Sequence, residues 1–247
     1  MSDICIFRRY EKKYLIDAQQ RQQLMARIAR HLKSDEHGRS TVCSLYLDTP
    51  DWLLIRNSIE ATTYKEKLRL RSYGTPGPDS RVFLELKKKY HGVVYKRRVA
   101  LTERQAEAYL RSGIKPFDSQ IFRELDYAMR FYRNPKPAVA LSYEREAFTV
   151  PDVPDLRLTF DTHVRYRTEE LNLTAGTAGK EIIPEDTVIL EIKTGGAMPL
   201  WLSGALDECG IRPASFSKYG EAYRDMCRGE NTNENDKNDH KEVKRYA

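Results

Sequence analysis

Residues 64–73 read YKEKLRLRSY, which puts Lys65, Lys67, Arg69 and Arg71 on one face of a strand and Leu68 and Leu70 on the other. The same habit recurs downstream. In VFLELKKK (82–89) Glu85 and Lys87 oppose Val82, Leu84 and Leu86. In TVILEIKT (187–194) Glu191 and Lys193 oppose Val188, Leu190 and Ile192, and in DLRLTFDTH (155–163) Arg157, Thr159 and Asp161 oppose Leu156, Leu158 and Phe160. Successive strand side chains point to opposite faces, so each segment has one apolar and one charged face. Cations two residues apart on a strand lie about 6.8 Å from each other. At an effective dielectric of about 20 each such pair repels by roughly 2 kcal/mol. Several strands carrying that cost imply a polyanion that offsets it.

A charge-rich strand face is ordinarily the wet side of an antiparallel sheet. Two features argue for an enclosed face here. Carboxylates alternate with cations at matched spacing, and the opposite faces are apolar enough to need helices packed on them. Such a sheet closes into a barrel with a polar interior. Strand-like segments fall at about 4–16, 42–48, 64–73, 82–90, 93–101, 138–149, 156–166 and 187–194. The expected fold is therefore α+β: a closed, antiparallel, eight-stranded β-barrel with helices on its outside.

Helices are expected between the strands. Asp17 is an N-cap for 18–33, where Leu24, Ile28 and Leu32 form an i, i+4, i+8 stripe. Thr102 caps 103–112, and residues 118–132 carry Ile121, Leu125 and Met129 on one face. Residues 199–209 and 217–228 are the last two, with Pro213 between them. The stretch TAGTAGKE within 167–186 reads as a loop or mobile hairpin. From Gly229 the chain is almost devoid of apolar residues, so one domain is expected over 1–228 and a disordered polar tail over 229–247.

The 247 residues hold 42 Lys+Arg against 36 Asp+Glu, a net charge of +6. Basic balance alone suggests nucleic acid, but no basic helix, zinc knuckle or basic stretch interleaved with stacking aromatics is present, so no nucleic-acid partner is expected. Cys5, Cys43, Cys209 and Cys227 form no CxxC pair and are read as reduced thiols. No apolar run approaches the ~18–20 residues of a membrane span and no signal-peptide core precedes the first strand. A soluble, cytoplasmic protein is expected.

A lumen lined by Lys13, Lys67, Arg69, Arg71, Lys87, Lys96, Arg98, Arg145, Arg157 and Lys193 suits phosphate oxygens, with guanidinium groups gripping two oxygens and lysines acting as point charges. Glu11, Glu85, Asp161 and Glu191 serve no purpose as anion ligands. They fit a divalent cation such as Mg²⁺ or Mn²⁺, commonly held by one or two carboxylates plus substrate phosphates. A salt bridge to a neighbouring cation is the competing role for each. Glu191 is the leading metal ligand, with Glu11 and Glu85 next. His163 shares the polar face with Asp161 and is read as a solvated residue at the tunnel mouth. Trp52 and Trp201 fall in helical patterns and are read as packing residues.

In order along the chain stand R-Y-E-x-K-Y (9–14), S-x-Y-x-D-T (44–49), K-x-R-x-R (67–71), E-x-K (85–87), Y-x-R (143–145), E-x-K (191–193) and S-F-S-K-Y (215–219). Over about residues 5–228 this series resembles the VTC domain, the polyphosphate polymerase module of the vacuolar transporter chaperone complex, in the CYTH-like triphosphate tunnel metalloenzyme superfamily. The resemblance implies an eight-stranded tunnel in which Lys13, Arg69, Arg71, Lys87, Arg145 and Lys218 contact the phosphates of ATP and polyphosphate. It implies that Tyr143 and Ser217 assist them and that Glu191 holds Mn²⁺ or Mg²⁺. The family reaction moves the γ-phosphate of ATP onto a growing polyphosphate chain and releases ADP. The inositol-pyrophosphate-sensing domain and transmembrane segments of the eukaryotic complexes have no counterpart in these residues. Two other functions compete: hydrolysis of inorganic or nucleoside triphosphates in the same tunnel, and non-catalytic binding of polyphosphate or nucleotide. Whether the tunnel is open at both ends separates polymerase from hydrolase.

Overall fold

The period-2 segments become strands and the i, i+4 stripes become helices. The computed structural model describes residues 10–60, 63–91 and 93–229. In chain order the elements are β1 (Tyr10–Ile16), α1 (Ala18–Ile28), β2 (Lys33–Asp48), α2 (Leu53–Ile59), β3 (Tyr64–Tyr73), β4 (Arg81–Tyr90), β5 (Val93–Thr102), α3 (Glu103–Ser112), α4 (Gln120–Phe131), β6 (Lys136–Thr149), β7 (Arg157–Arg167), β8 (Lys180–Glu181), β9 (Val188–Thr194) and α5 (Leu200–Glu208). A last helix, α6, covers 218–229. Arg9 and Cys5, and the tail beyond 229, lie outside the described residues.

The closed eight-stranded barrel is not what forms. Among the described residues one nine-stranded antiparallel sheet runs in the order β1-β9-β7-β6-β2-β3-β4-β5, with β8 added to β7, and β1 and β5 remain as edges. The cause lies on β1. The Lys13 carbonyl accepts the N–H of Ala214 at 2.7 Å, and the Lys13 ammonium donates to the Phe216 carbonyl at 3.2 Å. The segment leading into α6 thus lies along the free edge of β1 and takes a hydrogen bond that pairing with β5 would need. The sheet curls nonetheless, because Lys87 of β4 meets Glu11 of β1 at 3.5 Å across the opening.

The two outer halves of the sheet are packed as the apolar faces require. Leu45, Leu47, Leu68, Leu70, Leu84 and Leu86 are buried beneath α3 and α4, against Tyr109, Phe122, Leu125 and Met129. Tyr14, Ile16, Leu156, Leu158, Leu190 and Ile192 are buried beneath α1 and α5, against Leu24, Ile28, Leu202 and Leu206. Truncating one such leucine to alanine costs about 2–5 kcal/mol, the transfer term plus the cavity left behind. Helix α6 behaves differently. Its Tyr219 and Ala222 pack on Tyr46, Leu141, Tyr143, Val164 and Ile189, on the concave side of the sheet.

Caps hold as the sequence predicts. Asp17 accepts the Gln20 N–H at 2.7 Å and Gln20 returns to the Asp17 N–H at 3.2 Å; Thr102 and Gln105 do the same for α3. Such reciprocal caps satisfy two orphan donors each. Helix α1 stops at Ile28 and a 3₁₀ turn (Ala29–His31) follows, so the helix expected to 33 is shorter. β2 is far longer than 42–48, because its polar first half pairs with Phe148 and Thr149 of β6. The short α2 rests on Asp48, whose carboxylate accepts the N–H groups of Leu54 (2.9 Å) and Ile55 (3.0 Å) and the Tyr219 hydroxyl at 2.8 Å. One buried carboxylate thereby joins β2, α2 and α6. The 168–179 loop is tied down rather than free: Arg167 donates to the carbonyls of Asn172 (2.7 Å) and Gly176 (2.9 Å). Gly179 (φ +157°) brings the chain so close that a Cβ would lie 2.4 Å from the Tyr166 carbonyl oxygen.

Candidate functional site

The concave face encloses a cavity of about 130 Å³. Period-2 strands and antiparallel register deliver its wall: Glu11 and Lys13 from β1, Ser44 and Tyr46 from β2, Lys67, Arg69 and Arg71 from β3, Lys87 from β4, Leu141, Tyr143 and Arg145 from β6, and Glu191 and Lys193 from β9. Ser217, Lys218 and Tyr219 complete it from the start of α6. Eight cations and two carboxylates therefore face one small space.

Each cation is aimed by a neighbour. Arg71 donates to Ser44 Oγ at 3.3 Å and Tyr143 Oη at 3.4 Å. Arg69 donates to Glu85 at 2.9 Å and to Tyr46 Oη at 3.0 Å. Lys67 donates to Ser217 Oγ at 2.9 Å. Arg145 holds Asp161 through two bonds of 2.6 and 2.7 Å, and Lys218 reaches the same carboxylate at 2.6 Å. Both of these cations also lie over the Tyr143 ring, Lys218 Nζ at 4.4 Å and Arg145 Cζ at 5.2 Å. The Lys13 ammonium stands between the two lining carboxylates, 3.3 Å from Glu11 and 3.9 Å from Glu191; Lys193 pairs with the other Glu191 oxygen.

The field inside is strongly positive. Burial works against ionising Glu191, yet Lys193, Lys13, Arg145 and Lys218 outweigh it and hold that carboxyl well below its ordinary range. Glu11 is also lowered: burial and Glu191 oppose its ionisation, and Lys87, Lys13 and Lys193 overcome them. Burial, reinforced by Lys13, Lys87 and Arg69, pulls the Lys67 ammonium down to about 8. Burial raises the Tyr46 phenol, but Arg69, Lys67 and Arg71 bring it down to about 7. These shifts reflect cations crowded beyond what the local carboxylates neutralise. The arrangement is chemically suited to phosphate oxygens, whose negative charge such a wall of cations would offset. Among the described residues no histidine or cysteine lines the cavity, and the two serine hydroxyls already receive Arg71 and Lys67.

Of the residues expected from the sequence, Lys13, Lys67, Arg69, Arg71, Lys87, Tyr143, Arg145, Lys193, Ser217, Lys218, Glu11 and Glu191 are brought together here. Four stand apart from the lining. Glu85, 1% exposed, lies behind Arg69 and is held by Arg69, Lys96 (2.8 Å) and Arg98 (2.6 Å). Lys96 and Arg98 are thereby turned toward Glu85. Arg157 pairs with Asp35 at 2.6 Å near the start of β2. His163 sits on a β-bulge with φ +48°, its Nδ1 3.7 Å from Glu181. Trp52 packs on Tyr223 and Trp201 stacks on His31. Sequence reasoning missed Tyr46, Ser44 and Tyr219 as wall residues, and Asp161 as the anchor of Arg145 and Lys218. The signal for the first two was present, since Ser44, Tyr46 and Asp48 share a face and register places them opposite Arg71 and Arg69.

A carboxylate pair can be asked whether it suits a metal. No cluster of three acidic, histidine or cysteine ligands occurs among the described residues. Glu11 and Glu191 are ionised, share Lys13 and face the cationic wall, so two carboxylates plus phosphate oxygens make a donor set that suits Mg²⁺ or Mn²⁺.

Comparison with solved structures finds a candidate adenylate cyclase from Bacillus halodurans, at 16% identity and a TM-score of 0.53, covering 84% of this chain and 92% of that one. A candidate adenylyl cyclase from Hippeastrum, described as having a dominant triphosphatase activity, aligns at 16% identity and a TM-score of 0.48 over 85% and 92% of the two chains. The likeness to the Bacillus protein is one of fold alone at that identity. Comparison with curated protein sequences gives no match. No helix among the described residues is long and apolar enough to cross a membrane. The model of the VTC domain family matches residues 8–227, nearly the whole chain and all of the cavity wall. The chain belongs to the VTC domain family.

Proposed function

We propose that this protein is a metal-dependent polyphosphate polymerase, transferring the γ-phosphate of ATP to a growing polyphosphate chain in the concave cavity. The observation that carries the reading is the convergence of eight cations on a space that also holds the ionised pair Glu11 and Glu191. Lys67, Arg69 and Arg71 grip the triphosphate along β3. Arg145 and Lys218, clamped by Asp161, hold the acceptor phosphate opposite them, and Lys87 and Lys13 neutralise charge between the two. Glu191, with Glu11, holds Mn²⁺ or Mg²⁺, which when bound offsets negative charge on the transferring group. Glu85 orients Arg69 rather than serving as a ligand. Because the acceptor is itself a phosphate, positioning and electrostatic stabilisation suffice and no side-chain nucleophile is needed. ATP, inorganic polyphosphate and the divalent cation are the partners this reading requires.

One observation favours a second reading, hydrolysis of inorganic or nucleoside triphosphates. Helix α6 packs on the concave face through Tyr219 against Tyr46 and Asp48, so the cavity is walled on that side and a lengthening chain has one fewer exit. The test is incubation with γ-labelled ATP and Mn²⁺, resolved on a gel. Long labelled chains with ADP support the polymerase. Free phosphate without chains supports hydrolysis, and intact ATP rejects both.

A further inference from the structure

The inner face of β3 does not end with its cations. Lys67, Arg69 and Arg71 line the cavity, and the next residue on the same face is Tyr73, one strand step or about 6.8 Å beyond Arg71. Lys67 lies at the α6 end, bonded to Ser217. Tyr73 lies at the opposite end of the strand and is 48% exposed. Its ring is held edge-on by Phe83 of β4, centroids 6.2 Å apart at 77°, and Phe83 is the register partner of Arg71. The Tyr73 hydroxyl receives Arg98 at 3.3 Å, and Arg98 Cζ in turn lies 3.8 Å from the centroid of the Phe83 ring. Arg98 itself is anchored by Glu85. Phe83 and Arg98 thus fix one aromatic ring next along the strand from the cations that line the cavity.

A ring so placed is unnecessary for inorganic phosphate chains, which offer no π-face. We infer that Tyr73, braced by Phe83 and Arg98, is a stacking platform for the base of a nucleoside triphosphate, whose γ-phosphate points inward to Lys67. This rests on the reading of the cavity as a triphosphate site and adds to it a polarity and a residue that recognises the base. The donor enters phosphates first, α-phosphate at Arg71, and the nucleoside stays at the rim. Stacking is tolerant of base identity because every base has a π-face, so the platform selects nucleotides over inorganic triphosphate without choosing among bases.

The test compares ATP with inorganic tripolyphosphate by calorimetric titration of the full chain. The variants are Tyr73→Leu, which removes the ring, and Tyr73→Phe, which keeps the ring and loses the bond to Arg98. Loss of one base–ring stack weakens binding by about tenfold. The expected result is that Tyr73→Leu weakens ATP by about that factor and leaves tripolyphosphate within about twofold, while Tyr73→Phe binds both like the wild type. Equal weakening of both ligands by Tyr73→Leu, or of neither, overturns the platform and leaves the triphosphate reading standing. Weakening of ATP by Tyr73→Phe as strongly as by Tyr73→Leu also overturns it, since the hydroxyl rather than the ring is then responsible. Failure of the wild type to bind either ligand rejects the triphosphate reading, and the platform with it.

Discussion

Asp161 is the residue on which the placement of Arg145 and Lys218 in the cavity wall depends. It is fully buried and bonds two cations, Arg145 through both oxygens and Lys218 through one. Replacing it with asparagine keeps the shape, removes the charge and leaves two cations facing each other across a desolvated site. Breaking a buried ion pair by neutralising one partner costs about 3–5 kcal/mol. For a domain of this size each kcal/mol lowers Tm by about 2–4 °C, so Asp161→Asn should melt of the order of 10 °C below the wild type. Burial raises the Asp161 pKa, but Lys218 and Arg145 outweigh it and the net shift is downward. A depressed carboxyl stabilises above its unfolded pKa and loses that stabilisation as pH falls through its folded value, so the difference should be full at pH 7 and shrink in acid. The assay is differential scanning calorimetry with and without tripolyphosphate. The anion supplies the missing countercharge, and ligand binding adds about 2.7 kcal/mol at a hundredfold excess over Kd. The variant should therefore gain more from tripolyphosphate than the wild type does. An unchanged Tm, or a smaller gain in the variant, refutes the clamp.

Glu191→Gln should retain or tighten tripolyphosphate binding, because a negative charge leaves the cavity, while turnover with ATP and Mn²⁺ falls by orders of magnitude; near-wild-type turnover moves the metal elsewhere. Lys67 near 8, Lys96 near 8 and Tyr46 near 7 all lie below their ordinary values. The unfolded chain therefore binds more protons between about pH 7 and 10, and stability should rise with pH across that window. Phosphate affinity should fall over the same window as Lys67 discharges and Tyr46 ionises, and Lys67→Arg should flatten part of that fall; a pH-independent Kd from 7 to 9 contradicts it. The Tm gain from tripolyphosphate should shrink with salt, since the screening length falls from about 10 Å at 0.1 M to about 3 Å at 1 M.

Much of this site was legible because a strand's side-chain period is fixed. Once Leu68, Leu86 and Leu190 are committed to the outside, Lys67, Lys87 and Glu191 have only the inside left, and the structure places them there. Pairing between distant strands was not legible. Nothing in the spacing of Glu85, Asp161 and Glu191 says that the first serves Arg69, the second Arg145 and Lys218, and the third faces the cavity, because those distances run through space. The open seam was also hidden, since the segment lying along β1 comes from residues 214–216, some two hundred positions away. Helix α6 looked like the other amphipathic helices; that its apolar side packs on the concave face follows from Asp48 and Tyr46, which the sequence marks only as an alternating polar pair. The first half of β2 was missed because its residues are polar on both faces and it is a strand only by virtue of β6.

The most direct measurement is a crystal structure of the protein with tripolyphosphate and Mn²⁺. The prediction is a phosphate chain inside the concave face, its oxygens on Arg69, Arg71, Lys87 and Arg145, with the metal held at Glu191. An anion found only on the outer surface, with the concave cavity holding no phosphate at saturating ligand, would contradict the claim that these cations are gathered to hold one.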